Sequence, residues 1–170
     1  MLLRHIARPL FASWFVVEAV DGIRHPAAHA TAVREGVAAL RGRTRRIPAL
    51  NDVLDTALTS MGDRQLGVVV QAHGAATVAA AGALALGKAP RTAALALAAL
   101  TVPVVLTSLP ARRTPAGTPD EGEADRRHKF WFSLTALGGA LLAAGDLAGR
   151  PGMTWRIHAA REAKAAAREE

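Results

Sequence analysis

Three stretches of the chain contain no Lys, Arg, Asp or Glu: Gln65 to Gly87, Thr92 to Ala111 and Phe130 to Gly145. Charged residues make up 21% of the sequence, so these 59 positions would hold about 12 charges if charge were evenly spread. The runs are 23, 20 and 16 residues long. At a rise of about 1.5 Å per residue, roughly 20 apolar residues cross a hydrocarbon layer of about 30 Å. The third run reaches that length by continuing through Asp146 to Gly149. A helix in water keeps a polar face with a charge every turn or so. The segments "QAHGAATVAAAGALALG" and "TAALALAALTVPVVLTSL" carry no such face. A soluble Ala-rich bundle is the competing reading and suits the modest mean hydropathy of +0.17. The missing charged faces favour membrane helices instead.

The N-terminal segment "RPLFASWFVVEAVDGIR" has 15 residues between Arg8 and Arg24, with Glu18 and Asp21 among them. As a signal peptide it would have Arg4 and Arg8 ahead of the apolar run and "AHATA" as a small-residue cleavage site, but Glu18 interrupts that run. A first membrane helix over about 5–22 fits better, with Arg4 and Arg24 reaching the headgroups. The remaining spans are expected over 66–87, 92–109 and 130–149. The fold class is therefore all-α: an integral membrane four-helix bundle, with short amphipathic surface helices between helices one and two. Residues 1–156 form a single membrane domain, followed by a charged helical tail over 157–170.

The 43-residue connection from Gly22 to Arg64 is long for a featureless loop. "RHPAAHATAVREGVAALRGR" places Val33, Val37 and Leu40 at helical spacing. "NDVLDTALTSM" opens with Asn51 as an N-cap and repeats Leu54, Leu58 and Met61 on one face. Both read as helices lying on the membrane or capping the bundle. "KAPR" is a tight turn that makes helices two and three antiparallel neighbours. Pro103 falls inside helix three, and "ARRTPAGTPDEGEADRRHK" reads as a solvated loop. The two connections on one side carry 12 Lys and Arg against 9 on the other, a small surplus that leans towards termini outside. The net charge of +7 flanks the spans, so lipid headgroups, and not nucleic acid, are the expected anionic partner.

With no cysteine, the chain performs no dithiol chemistry by itself. His25 and His29 stand four apart in "HPAAH", but Pro26 puts His25 before the helix, and two rings make an incomplete metal set. His73 is the one histidine well inside a span. Its readings are an interhelical hydrogen bond or a quinone- or proton-linked role. A bare carboxylate at mid-membrane costs at least about 2.5–3.5 kcal/mol, so Glu18, Asp21 and Asp146 need partners or water. Asp21 falls beside Arg24 and can be solvated. Asp146 falls at the depth of Arg8 and one turn before Arg150, either of which can neutralise it. Glu18 has only Arg24 or a wet cavity. The candidate polar site is thus Arg8, Glu18, Asp21, His73, Asp146 and Arg150, with no catalytic residue and no metal assigned. Gly74, Ala75, Ala79 and Gly82, with Gly138, Gly139, Ala143 and Ala144, are expected to allow close helix packing.

The order "RHIARPLFASWFVVEAVDGIRHPAAHA", "ALALGKAPRTAALALAALTVPVVL" and "LTALGGALLAAGDLAGRPGMTWR" resembles the DoxX family of small bacterial membrane proteins, especially its Ala-rich actinobacterial members. The resemblance runs over Arg4 to Arg24, Gly67 to Leu106 and Leu134 to Arg156. It rests most on the apolar helix with paired Gly that ends in Asp146, Gly-Arg-Pro-Gly and Trp155-Arg156. It implies four membrane helices in the cell membrane and a subunit that joins a superoxide dismutase and a sulfurtransferase in an oxidoreductase complex; more distant relatives include the membrane subunit of thiosulfate:quinone oxidoreductase. The chain departs from the family pattern at Phe132 and Ser133, where relatives carry Lys-Asn, and at Leu109, where they carry His. A non-catalytic membrane subunit or adapter is therefore the expectation. No cofactor is required, with quinone as the option. A quinone- or small-anion-linked enzyme subunit or small transporter is the alternative.

Overall fold

In the computed structural model the described residues, 2–44, 52, 60–110 and 121–145, contain five helices and no strand. These are α1 (Leu2–Arg24), α2 (Pro26–Thr44), α3 (Asp63–Ala85), α4 (Pro90–Thr107) and α5 (Glu121–Gly145). Local chemistry accounts for their starts. Pro26 opens α2 after the single residue His25, and Pro90 opens α4; proline suits a first turn because its missing N–H would have had no partner there. α3 begins with Asp63 at the positive end of the helix dipole, and the Gln65 side chain accepts from the Gly62 N–H at 3.1 Å.

α1 packs along α3, α3 along α4, and α4 along α5. α1 and α5 meet through side chains: Phe11 lies over Gly139, where a Cβ would come within 2.6 Å of its ring, and Glu18 reaches Lys129. Ala12, Phe15, Ala81, Leu84, Ala94, Leu97, Ala136 and Ala140 form a shared core from all four long helices. The expected close packing holds at Gly74 and Gly139 but not at Gly82 or Gly138, which have open space beside them. At Gly74 a Cβ would sit 2.9 Å from the Ala19 carbonyl oxygen, so the α1 and α3 backbones approach there as only glycine permits.

α2 is the expected amphipathic helix, and it caps the bundle where α1 and α4 end and α3 and α5 begin. It touches α3 and α4. A Cβ on Gly36 would run into the Thr107 carbonyl. Arg34 pairs with Asp63 and donates to the Met61 carbonyl at 3.1 Å, and Arg43 donates to the Pro110 carbonyl. Most of the second amphipathic segment, "NDVLDTALTSM", lies outside the described residues, which include only Asp52, Ser60 and Met61 of it, and the tail over 157–170 lies outside them altogether.

One boundary differs from the sequence expectation. The solvated loop was expected to run to Lys129, yet α5 starts at Glu121. Glu, Ala, Arg and Lys are good helix formers, and the early turns are drawn in by ion pairs to α1 and α2.

α3 and α4 are long and apolar enough to cross a membrane, with windows only 22% and 33% buried. The core helix of a soluble protein would be mostly buried. Their outward surface is apolar, as contact with lipid would require.

Candidate functional site

Beneath α2 the bundle is hollow. A cavity of about 440 Å³ is walled by α2 above (His29, Val33, Glu35), by Leu66, Val70 and His73 of α3, by Val104 and Ser108 of α4, and by Asp125, Arg126 and Lys129 of α5. A smaller space of about 90 Å³ continues towards α1, where Trp14, Phe15 and Glu18 line it. His29, Val70, His73, Val104 and Lys129 line both.

Of the five charged side chains around this hollow, four are paired with one another, and the fifth, Asp125, is exposed. Lys129 Nζ lies 3.0 Å from Glu18 Oε1, both side chains being partly exposed. Arg126 lies 3.6 Å from Glu35. The hydroxyls on the walls are satisfied within their own helices: Thr77 donates to the His73 carbonyl at 2.9 Å, Thr101 to Leu97 at 2.6 Å and Ser108 to Val104 at 2.6 Å. Such back-bonding lets a hydroxyl sit in apolar surroundings without an unmade hydrogen bond. The His73 ring is different. It is half-buried and lines both spaces, and among the described residues its nitrogens have no polar partner. The interhelical hydrogen bond expected of His73 is instead made by Gln71, which donates to the Ile23 carbonyl at 3.3 Å.

At the α1–α2 joint, His25 Nδ1 donates to one Asp21 carboxylate oxygen at 3.0 Å and His29 Nε2 to the other at 2.8 Å. Asp21 sits on the last turn of α1, beyond the apolar stretch. The hydrogen bonds from His29 and then His25 hold its carboxyl below the usual carboxylate range. The expected neighbour Arg24 is not its partner. A carboxylate clasped by two imidazoles holds the joint between two helices that otherwise touch little. Among the described residues no three His, Asp or Glu side chains are arranged to hold a metal ion.

Of the six candidate polar residues, the structure brings Glu18 and His73 to one hollow and puts Asp21 one hydrogen bond from its wall through His29. Arg8 is elsewhere, its guanidinium beside the Gly87 turn at the opposite end of the bundle. Asp146 and Arg150 lie outside the described residues, so the expected pairing of Asp146 with either arginine does too. Glu18 pairs with Lys129 in place of Arg24. Lys129 and Arg126 fall in the segment that reads as a loop, and His29 in a histidine pair that reads as an incomplete metal set, so none of the three stands out as a site residue in the sequence. A signal existed: Lys129, Ser133, Ala136 and Ala140 are spaced as one helical face, and the last three are buried. Extending α5 back by one turn places Lys129 at the head of an inward stripe.

An acid, an amine and an imidazole thus meet apolar walls, with no activated nucleophile among them. Comparison of the chain with family models, with curated proteins and with solved structures returned no match.

Proposed function

We propose that this chain is a multi-pass protein of the cell membrane, DoxX-like, that serves as a non-catalytic subunit or adapter for redox or sulfur-transfer proteins. One observation carries the membrane part. Large apolar side chains face outward on all four long helices, among them Leu10 and Val17 on α1, Val68 on α3, Leu95 and Val102 on α4, and Phe132, Leu141 and Leu142 on α5. A monomer in water rarely exposes apolar surface on this scale, whereas lipid requires it. α3 and α4 supply two crossings. In this reading α1 and the apolar part of α5 supply two more, with Asp21 and the first turns of α5 at headgroup level. The partner class, superoxide dismutase and sulfurtransferase proteins, comes from the family resemblance, and the lack of cysteine favours a holding role over a redox one.

Two measurements test it. Alkaline carbonate washing should leave the chain in the membrane pellet; release into the supernatant overturns the membrane reading. Purification in mild detergent should co-recover oxidoreductase or sulfur-transfer proteins, and a partner-free chain overturns the adapter role. A second reading is favoured by the hollow beneath α2: a membrane subunit or small transporter that takes a ligand through its intramembrane polar residues. Glu18, His73 and Lys129 would then be needed for activity and not for abundance.

A further inference from the structure

The hollow beneath α2 has a chemistry that narrows what it can hold. We infer that it is a binding site for an uncharged, largely apolar molecule with a single hydrogen-bonding oxygen, and that the His73 imidazole is the group that recognises the oxygen. The inference rests on the second reading above and deepens it. Three observations carry it. The volume, about 440 Å³, lies within the usual range for small-molecule sites, and side chains such as Val33, Leu66, Val70 and Val104 make most of the wall apolar. Four of the five charged side chains around the hollow compensate each other in place, Glu18 with Lys129 and Glu35 with Arg126, and the fifth, Asp125, is exposed to solvent; an anion would have to break a pair to gain one, and a cation would meet only a well-solvated carboxylate. The wall hydroxyls are already bonded to their own helices, whereas the His73 ring lines both halves of the hollow without a polar partner among the described residues. A neutral imidazole offers one donor and one acceptor, and either serves a hydroxyl. With no protein partner among the described residues, the ring is free to bond a ligand oxygen in place of water when an apolar molecule fills the hollow.

The test uses the full chain in detergent micelles, with 1-naphthol and naphthalene as probes and equilibrium dialysis against empty micelles as the measurement. The two differ by one hydroxyl. Wild-type protein should bind 1-naphthol saturably, about five-fold more tightly than naphthalene, the worth of a single neutral hydrogen bond. His73→Leu should leave naphthalene binding unchanged and erase that preference, and His73→Gln, which keeps a donor, should retain it. Val33→Trp, which fills the hollow from α2, should abolish saturable binding of both probes. Equal binding of the two probes by wild type, or a preference that survives His73→Leu, overturns the assignment to His73. Binding of both probes that ignores Val33→Trp overturns the site. Neither result depends on carbonate extraction or partner recovery, so failure here is distinct from failure of the membrane or adapter readings.

Discussion

At the end of the bundle where α3 turns into α4, Ala81, Leu84, Ala93, Ala94, Leu97 and Ala140 interlock among Ala12 and Phe15 of α1, and several of them have no exposed surface at all. At the other end, α3, α4 and α5 leave about 440 Å³ open beneath α2. The difference is one of side-chain size and of what closes each end. Where small residues face one another, backbones approach until alanine touches alanine, and dispersion contacts saturate. Where α2 lies across the helix ends, it is set at its height by the contact of Gly36 with Thr107 and by polar ties at its edges. The valines below it do not reach far enough to fill the gap. One end therefore supplies rigidity, and the other keeps room for a ligand.

The sharpest way to break this contrast is to remove a large side chain from each end. Leu97→Ala, at a position with no exposure, should destabilise by about 2–5 kcal/mol through lost contacts and a cavity, whereas Val104→Ala on the wall of the hollow should cost about 1 kcal/mol or less. Thermal unfolding in detergent measures both; similar losses would mean that the two ends are packed alike. Adding volume is the next largest effect. Ala94→Leu should cost about 1–3 kcal/mol because nothing around it can yield, while Val70→Phe should be tolerated by the open space. Equal penalties would imply that the hollow is closed in the working molecule.

A smaller effect is expected at the Glu18–Lys129 pair. Both side chains are about 40% exposed, so a double-mutant cycle of Glu18→Gln with Lys129→Gln should give a coupling of about 1 kcal/mol or less. A much larger value would mean that the pair is shielded from water and that the hollow is dry. The smallest effect belongs to Asp21. Its carboxyl is held below the ordinary value of 3.8 by His29 and His25, so the folded state favours the ionised form. That contribution is fully present above the unfolded value and is lost as pH falls through the folded one. Asp21→Asn should therefore unfold at a lower midpoint temperature than wild type at neutral pH, and this gap should close as the solution is acidified below about pH 4. A gap that is constant across this range would show that the imidazoles contribute packing alone.

The helices were legible in the sequence because their signals are local. Charge-free runs announce α3 and α4, Pro26 and Pro90 mark starts, and the spacing of Val33, Val37 and Leu40 announces α2. The start of α5 was not legible, because "EGEADRRHK" is equally at home in a solvated loop and becomes helical where Arg126 and Lys129 find acids on α2 and α1. The site was half legible. A carboxylate or imidazole inside an apolar run signals a need for a partner, so Glu18, Asp21 and His73 stood out. The partner depends on which helix lies alongside and at what depth; the sequence offers Glu18 only Arg24 or a wet cavity and Asp21 only Arg24 or water, whereas the partners are Lys129 and the two histidines.

By itself, then, the sequence determined the helical class, the length of the apolar runs and the residues that must be satisfied, since periodicity, charge and backbone hydrogen bonding are properties of neighbours along the chain. The tertiary structure alone decided that Glu18 meets Lys129, that Gly74 packs while Gly82 does not, and that a hollow lined by His73 remains under α2. Those outcomes follow from the relative depth and spacing of helices far apart in sequence, which packing sets and no local pattern encodes.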